Sequence, residues 1–503
     1  MTRSALGGLF LLGAVCTPAV AAAQTGLRLD DHLVLEYHLD NGDKDPHDDH
    51  YGTGIERLTL SGNAENLNTF AQVDAEAFYD PHDARHVNTA RLARIGMDYT
   101  LGDVTVTAGD FHRQLGRGII LSLRKVDELG VDTTLQGGRV AWAPEGHEVD
   151  VFAGRTNVSG FDTPTEFAVP QTHDVIAGGA YTARMFDTVH FGTYAYTERL
   201  RLAQDPSAGF DHTSASGAFF ELPDVADVLA VYGEADWQGR KRGEDRSQGK
   251  AGYLTLDLNA AGFSVLLEGL YIDDIMVRGT SPGAPAPLDY ANPPTLERLD
   301  QEVDTTTDTE GGRARVSYGF LDGDLAPYVS VLVRKNEPKG PAPVDVIHTY
   351  GGFDWAYGGG ASRLGASGGY RRFTQKGEVF KDIKHVEADW LQNLPGGHAL
   401  HVSGNEEFRM LEGKDYMRGT TIIGVERQRL GGVSVEVGDD TQNPHVRNYF
   451  FAGIITWKAA EWAELRATGG SERGGLKCVG GVCRDFPAFT GGKLEATFRH
   501  DLM

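Results

Sequence analysis

The 503-residue chain is predicted to be all-β: a single-chain transmembrane antiparallel β-barrel of about 24 strands (22–26), with an inward-folded loop after strand 5. Three observations predict this class. From Leu27 onward, segments of about ten to fourteen residues alternate between apolar and polar positions, separated by turn residues. Their apolar face is mostly Val, Ala and Tyr and the opposite face is charged, which suits lipid outside and water inside. Glycine, at 65 of 503 residues, is about twice its usual ~7% share, and the 40% hydrophobic content fits a wall with only one apolar face.

The N-terminus reads as an address. Arg3, the apolar run Leu6 to Val15 and the small residues Ala21-Ala22-Ala23 before Gln24 are the three parts of a secretory signal peptide. Residues 1–23 are therefore expected to be removed, leaving 24–503 as the barrel. Cys16 leaves with them, since Val15 stands where a lipidated cysteine needs a small residue before it. No other apolar run could form a spanning helix. The excess of 71 Asp+Glu over 47 Lys+Arg, a formal charge of −24, disfavours nucleic acid, which requires the opposite sign.

The strands follow in order. In 71–79, Ala71, Val73, Ala75, Ala77 and Tyr79 share one face, while Gln72, Asp74 and Glu76 share the other. In 229–237, Glu234 and Asp236 oppose Val231 and Ala235; in 325–335, Val329, Val331 and Val333 oppose Ser330 and Arg334; in 433–437, three valines flank Ser434 and Glu436. About 25 segments qualify, whereas a single-chain bacterial barrel takes an even number. Long polar connections at 40–50, 80–88, 158–171, 201–210, 238–247, 278–304, 337–344 and 471–487 alternate throughout with tight turns if Ile119 to Arg124 leaves the wall. The total is then 24, with both chain ends on the periplasmic side. Residues 113–132 become the loop after strand 5, and the apolar run in Gly118-Ile-Ile-Leu-Ser-Leu123 predicts that this loop folds inward against the wall. A further wall strand over 119–124 is the competing reading.

The six tryptophans, Trp142, Trp237, Trp355, Trp390, Trp457 and Trp462, fall near predicted strand ends, as in an interfacial aromatic girdle. The last strand, 492–498, puts Leu494, Ala496 and Phe498 on the lipid face. It is similar to the C-terminal signal read by the barrel-assembly machinery, although Arg499 to Met503 follow the terminal aromatic. Near the end, Lys477-Cys-Val-Gly-Gly-Val-Cys-Arg484 reads as a hairpin with a Gly-Gly loop, placing Cys478 opposite Cys483. That is disulfide geometry suited to an oxidising compartment; a redox or zinc pair is disfavoured because the spacing is not C-x-x-C.

Catalytic motifs are weak. Gly365-Ala-Ser-Gly-Gly369 matches G-x-S-x-G but lies in an alternating segment without a following helix. No zincin, P-loop, dinucleotide or c-type haem motif occurs. The chain is therefore expected not to be an enzyme and to need no cofactor. His47 and His50, in Asp45 to His50, and His82 and His86, in Asp80 to His86, combine imidazoles with carboxylates and form a candidate metal set; the bland reading is a pair of solvated acidic loops.

The densest special segment is 109–124. Arg113, Arg117 and Arg124, with Asp110, would face a lumen lined by Asp74, Glu76, Glu234 and Glu436. Opposed charges across a constriction create a transverse field that tunes selectivity; equally, the arginines could neutralise the acidic wall and lock the loop.

Gly109-Asp-Phe-His-Arg-Gln-Leu-Gly-Arg-Gly-Ile119, Val131-Asp-Thr-Thr-Leu-Gln-Gly-Gly-Arg-Val140 and Gly474-Gly-Leu-Lys-Cys-Val-Gly-Gly-Val-Cys483 resemble segments of a family of uncharacterised, porin-like bacterial outer-membrane β-barrel proteins. The resemblance covers the mature chain. It implies a barrel in the outer membrane and brings no substrate or catalytic residue.

Two functions follow as expectations. One is a porin-like channel for solutes, with the inner loop narrowing a lumen otherwise wide enough to need a plug. The alternative is a sleeve or scaffold that holds a periplasmic or lumen-filling protein partner, such as a secreted protein or a multihaem cytochrome. The remaining expected partners are outer-membrane lipid and the barrel-assembly machinery. A membrane-embedded lipid enzyme ranks third.

Overall fold

The computed structural model describes residues 25–42, 49–158, 161–162, 167–168, 173–185, 188–201, 210–276, 290–297, 308–442, 447–479 and 482–502. The expected signal peptide lies outside them.

The wall has 24 strands. The first eight are β1 (Thr25–His38), β2 (Gly52–Ala64), β3 (Leu67–Tyr79), β4 (Thr89–Leu101), β5 (Val104–Phe111), β6 (Val131–Trp142), β7 (His147–Val158) and β8 (Val175–Met185). Next come β9 (Val189–Arg201), β10 (Phe210–Val225), β11 (Leu229–Arg242), β12 (Asp245–Ala260), β13 (Phe263–Asp273), β14 (Thr309–Tyr318), β15 (Leu325–Asn336) and β16 (Val344–Tyr357). The last are β17 (Ser362–Gln375), β18 (Glu378–Leu394), β19 (His398–Leu411), β20 (Lys414–Arg427), β21 (Gly431–Asp440), β22 (Tyr449–Ala460), β23 (Ala463–Glu472) and β24 (Phe489–Asp501). Each strand pairs antiparallel with the next, and β24 closes on β1, with Arg28 opposite Asp501 and His38 opposite Gly491. Closure leaves no unpaired edge, which a spanning sheet requires.

At one end all connections are short, as at 65–66, 102–103 and 461–462. The other end carries the long loops. The expected alternation fails at three places there, because Gly243-Glu244, Lys376-Gly377 and Glu412-Gly413 are two-residue turns. The expected loop over 238–247 is thus a hairpin tip. Its flanking strands have 14 and 16 residues, whereas crossing a bilayer takes about 9–11; the excess stays paired above the membrane and needs only a tight turn.

Side-chain alternation is as expected. Val73, Val331 and Val435 are exposed on the outer face, and Asp74, Ser330, Glu234 and Asp236 are buried on the inner one. Trp142, Trp457 and Trp462 stand exposed at the short-turn end, where Trp390 Nε1 also donates to Tyr357 Oη at 2.7 Å. Trp237 is the exception: it lies five residues before the end of β11 because that strand overshoots the bilayer. An apolar band with aromatic margins on a closed 24-stranded wall is the architecture of an outer-membrane barrel.

The apolar core lies inside the barrel. Leu115, Ile119, Ile120, Leu121 and Leu123 from the loop after β5 are at most 1% exposed and pack with Leu135, Phe152, Ile176, Tyr194, Tyr196 and Leu270 from the inner wall. The loop is therefore inward-folded and 119–124 is not part of the wall. It forms its own hairpin, pairing Arg113–Leu115 with Leu121–Leu123.

Candidate functional site

Among the described residues, three segments enter the lumen from the long-loop end. The first, residues 112–130, rests on β9 and β11, whose inward positions carry Tyr194 and Tyr196 and, opposite them, Tyr232, Glu234 and Asp236. The Tyr194 hydroxyl donates between Glu234 Oε1 (2.5 Å) and Asp236 Oδ1 (2.8 Å), and Tyr232 also donates to Glu234. The other Glu234 oxygen accepts the Arg117 backbone N–H at 2.9 Å, while the Tyr196 hydroxyl donates to the Ile120 carbonyl at 2.7 Å. Gly116 permits this seating. Its φ is +52°, and a Cβ there would stand 2.2 Å from Glu234 Oε1 and 2.5 Å from the Tyr194 hydroxyl.

The second segment, residues 290–297, belongs to the long β13–β14 connection. It pairs with the first through Ser122 N to Tyr290 O (2.7 Å) and Asn292 N to Gly118 O (2.8 Å), and the Tyr290 hydroxyl donates to Asp174 at 2.9 Å. At its end Glu297 is enclosed by the wall. His348 Nδ1 lies 2.8 Å from Glu297 Oε2, Arg371 Nη2 lies 3.2 Å from Oε1 and Arg334 Nη2 3.9 Å. The His348 and His385 Nε2 atoms are 2.9 Å apart, and His385 Nδ1 lies 3.3 Å from Glu387. Burial by itself would raise the Glu297 carboxyl, but the His348 hydrogen bond and the Arg371 and Arg334 guanidiniums more than reverse this, holding it at about 2.

The third segment is a hairpin, Gly475–Val479 against Val482–Phe486, with Cys478 directly opposite Cys483 in its register. The side chains of both cysteines lie outside the described residues. Arg484 Nη1 reaches the Leu129 carbonyl at 3.1 Å, so this hairpin meets the first segment.

These contacts decide the roles of the expected constriction residues. Arg113 pairs with Asp150 at 3.1 Å, beside Arg139, which pairs with the same carboxylate. The Arg117 guanidinium covers the Tyr232 ring, 4.3 Å from its centroid. Asp110 faces no passage: its oxygens accept from Ile95 N (2.9 Å), Thr134 Oγ1 (2.9 Å) and Asn157 Nδ2 (2.7 Å), tying four strands together. Asp74 takes Gln72 Nε2 at 2.8 Å and Arg57 at 3.3 Å. Glu76 is buried and Arg124 half-buried; the Arg124 carbonyl accepts Thr133 N at 3.2 Å. Glu436, on β21, is near Arg473 and Lys477 of the third segment. Arg113 and Asp150 thus meet as an ion pair, and Arg117 meets Glu234 through its backbone N–H.

Among the described residues, the histidines of the candidate metal set are not brought together. His47 lies outside the described residues, His50 and His82 are exposed, and the buried His86 ring stacks between Tyr51 (4.9 Å) and Phe78 (4.6 Å). The neighbouring Asp83 is engaged by Arg85, whose hydrogen bond brings its carboxyl to about 2. Among the described residues, no three His, Cys, Asp or Glu are grouped to hold a metal ion. Ser367 of the G-x-S-x-G match sits within wall strand β17.

Among the described residues, the opposite side of the lumen is open. A polar cavity of about 520 Å³ runs along β16 to β20. Arg409, Arg418 and Arg473 line it near the long-loop end, and Asp354 and Asp389 near the short-turn end.

Several of these residues escape sequence reasoning. Aromatics on the polar face of a strand, as with Tyr194 and Tyr196, are the signal that something packs against that face. For the second segment the signal is Tyr290 and Leu296 within an otherwise polar, Pro-rich loop. The convergence of Glu297 with His348 and Arg371 has no local signal, since the three are far apart in the chain.

No family model matches the chain, and no curated protein matches it in sequence. Among solved structures it is similar to the siderophore receptor PirA from Pseudomonas aeruginosa, at 10% identity and a TM-score of 0.51 over 95% of this chain and 81% of that one. The ferric enterobactin receptor PfeA of the same organism is matched at 10% identity and a TM-score of 0.51, over 96% and 81%. A chain of the E. coli P pilus tip assembly intermediate PapC-PapD-PapK-PapG is matched at 12% identity and a TM-score of 0.52, over 97% of this chain and 62% of that one. At such identities the likeness is one of fold, and the fold shared is the large outer-membrane β-barrel.

Proposed function

We propose that this protein is a porin-like channel for small solutes, with its lumen narrowed permanently by its own loops. The observation that carries the reading is the division of the lumen: one side is filled by residues 112–130 and 290–297, and the other retains a polar cavity of about 520 Å³. The inner loop is seated by hydrogen bonds and fully buried apolar side chains, so it acts as a fixed constriction. Its Arg113 neutralises Asp150 on the wall, and the field across the passage arises from the lining of the open side. The sleeve reading requires wall surface for a partner, and this chain's own loops cover much of that surface.

Secretion with loss of residues 1–23, insertion by the barrel-assembly machinery and a Cys478–Cys483 disulfide belong to the same reading. Maleimide labelling of both cysteines only after reduction tests the last of these. Planar-bilayer recording of the purified full chain tests the function. Steady single-channel conductance is expected; a non-conducting barrel that copurifies with a stoichiometric partner would overturn the channel in favour of the sleeve.

A further inference from the structure

The open side of the lumen contains a charge arrangement that the constriction does not use. Arg409 on β19, Arg418 on β20 and Arg473, just after β23, line the long-loop end of the cavity together with Thr420. The three guanidiniums are within electrostatic reach of one another, with Glu407, Asp440, Glu406 and Glu436 as carboxylates within reach of Arg473. Glu407 is taken by Arg409 through Nε (2.7 Å) and Nη2 (2.6 Å), and Asp440 lies 3.8 Å from Arg418 Nε. Arg473 itself forms no ion pair at contact distance among the described residues. Its Nε and Nη2 make only long contacts, 3.4 Å each, to the Thr420 hydroxyl, and its Nη1 is buried with no hydrogen-bond acceptor among the described residues.

The patch is built rather than incidental. Gly475, at φ +115°, starts the third inward segment directly against Arg418, where a Cβ would lie 1.8 Å from Nη2. A buried guanidinium N–H without an acceptor costs free energy that a bound anion recovers. Further along the same cavity the lining carries the carboxylates Asp354, Glu387 and Asp389, the last held by His401 at 2.7 Å and Arg363 at 3.5 Å. That change of sign disfavours a solute carrying several negative charges.

We propose that Arg473, with Arg409, Arg418 and Thr420, forms a binding subsite for a single anionic oxygen group, a carboxylate or a phosphodiester, on a small solute that is otherwise neutral or cationic. The inference rests on the channel reading and names the class of solute for it. Its test does not depend on conduction. Binding of propionate, dimethyl phosphate and citrate to the detergent-solubilised full chain is measured by saturation-transfer NMR. Saturable binding of propionate or dimethyl phosphate is expected, the tighter of the two identifying the source chemistry, with citrate weaker than both. Arg473→Gln should weaken it about tenfold or more, the usual scale of a hydrogen bond to a charged group, and Arg473→Lys much less. If Arg473→Gln fails to form a heat-modifiable barrel, Arg418→Gln carries the same expectation. Absence of saturable binding to the parent protein, or binding unchanged by the charge-removing variant, would overturn the subsite even if the protein conducts. A saturable site in a protein that does not conduct would instead overturn the channel and leave the subsite standing.

Discussion

Gly116 and Glu297 are single residues on which whole segments depend. Gly116 combines a left-handed φ with an approach to Glu234 and Tyr194 that leaves no room for a side chain. Gly116→Ala must adopt the left-handed conformation, at about 1–2 kcal/mol, and must also displace the Glu234 carboxylate. Faster proteolysis within 112–130 and a lowered unfolding temperature are expected, and an unchanged digest would refute the fixed constriction. Glu297 anchors the second segment as a carboxylate, with its carboxyl at about 2 rather than the ordinary 4.5. A lowered folded-state value contributes stability that is fully present above pH 4.5 and is lost as pH falls through 2. Across that window the loss is about 3 kcal/mol. Hydrogen exchange of residues 290–297 should therefore accelerate between pH 4.5 and 2, and Glu297→Gln should exchange fast at neutral pH with little further change on acidification.

At the scale of elements, the inner loop and the wall are stabilised differently. The wall closes through its ladder of backbone hydrogen bonds, whereas the loop depends on burying Ile119, Ile120, Leu121 and Leu123 inside the barrel, each worth about 1.5–3 kcal/mol when fully buried. Deleting 114–130 should consequently leave a closed, heat-modifiable barrel and raise its conductance severalfold; equal conductance would remove the loop from the constriction. The loop was legible in the sequence because an apolar run at 118–123 broke the alternation of long and short connections. The second segment was not, because Tyr290 and Leu296 are isolated apolar residues whose partners, such as Ser122 and Asp174, come from other elements. Nor was the overshoot of β11 and β12 legible, since polar residues in an extended hairpin and in a loop look alike in one dimension.

For the whole molecule, the two faces of the wall should answer differently to the same charge. Val435 and Glu436 are neighbours on β21, one exposed outward and the other facing the lumen. Val435→Arg should cost about 2–4 kcal/mol near the bilayer midplane, measured by reversible unfolding in lipid vesicles. Glu436→Arg should instead shift the reversal potential toward anion preference; a comparable loss of stability at both positions would contradict the assigned faces. The sequence by itself determined the all-β class, the strand count, the closure and which side chains face lipid, because period-two alternation records a lipid–water boundary residue by residue. Only the tertiary structure decided what joins the inner loop in the lumen and which partner each polar group takes there. Asp110 became a clamp between strands, His86 a stacked ring, and Arg473 a guanidinium without a contact ion pair, because a role set by neighbours distant in the chain leaves no local pattern.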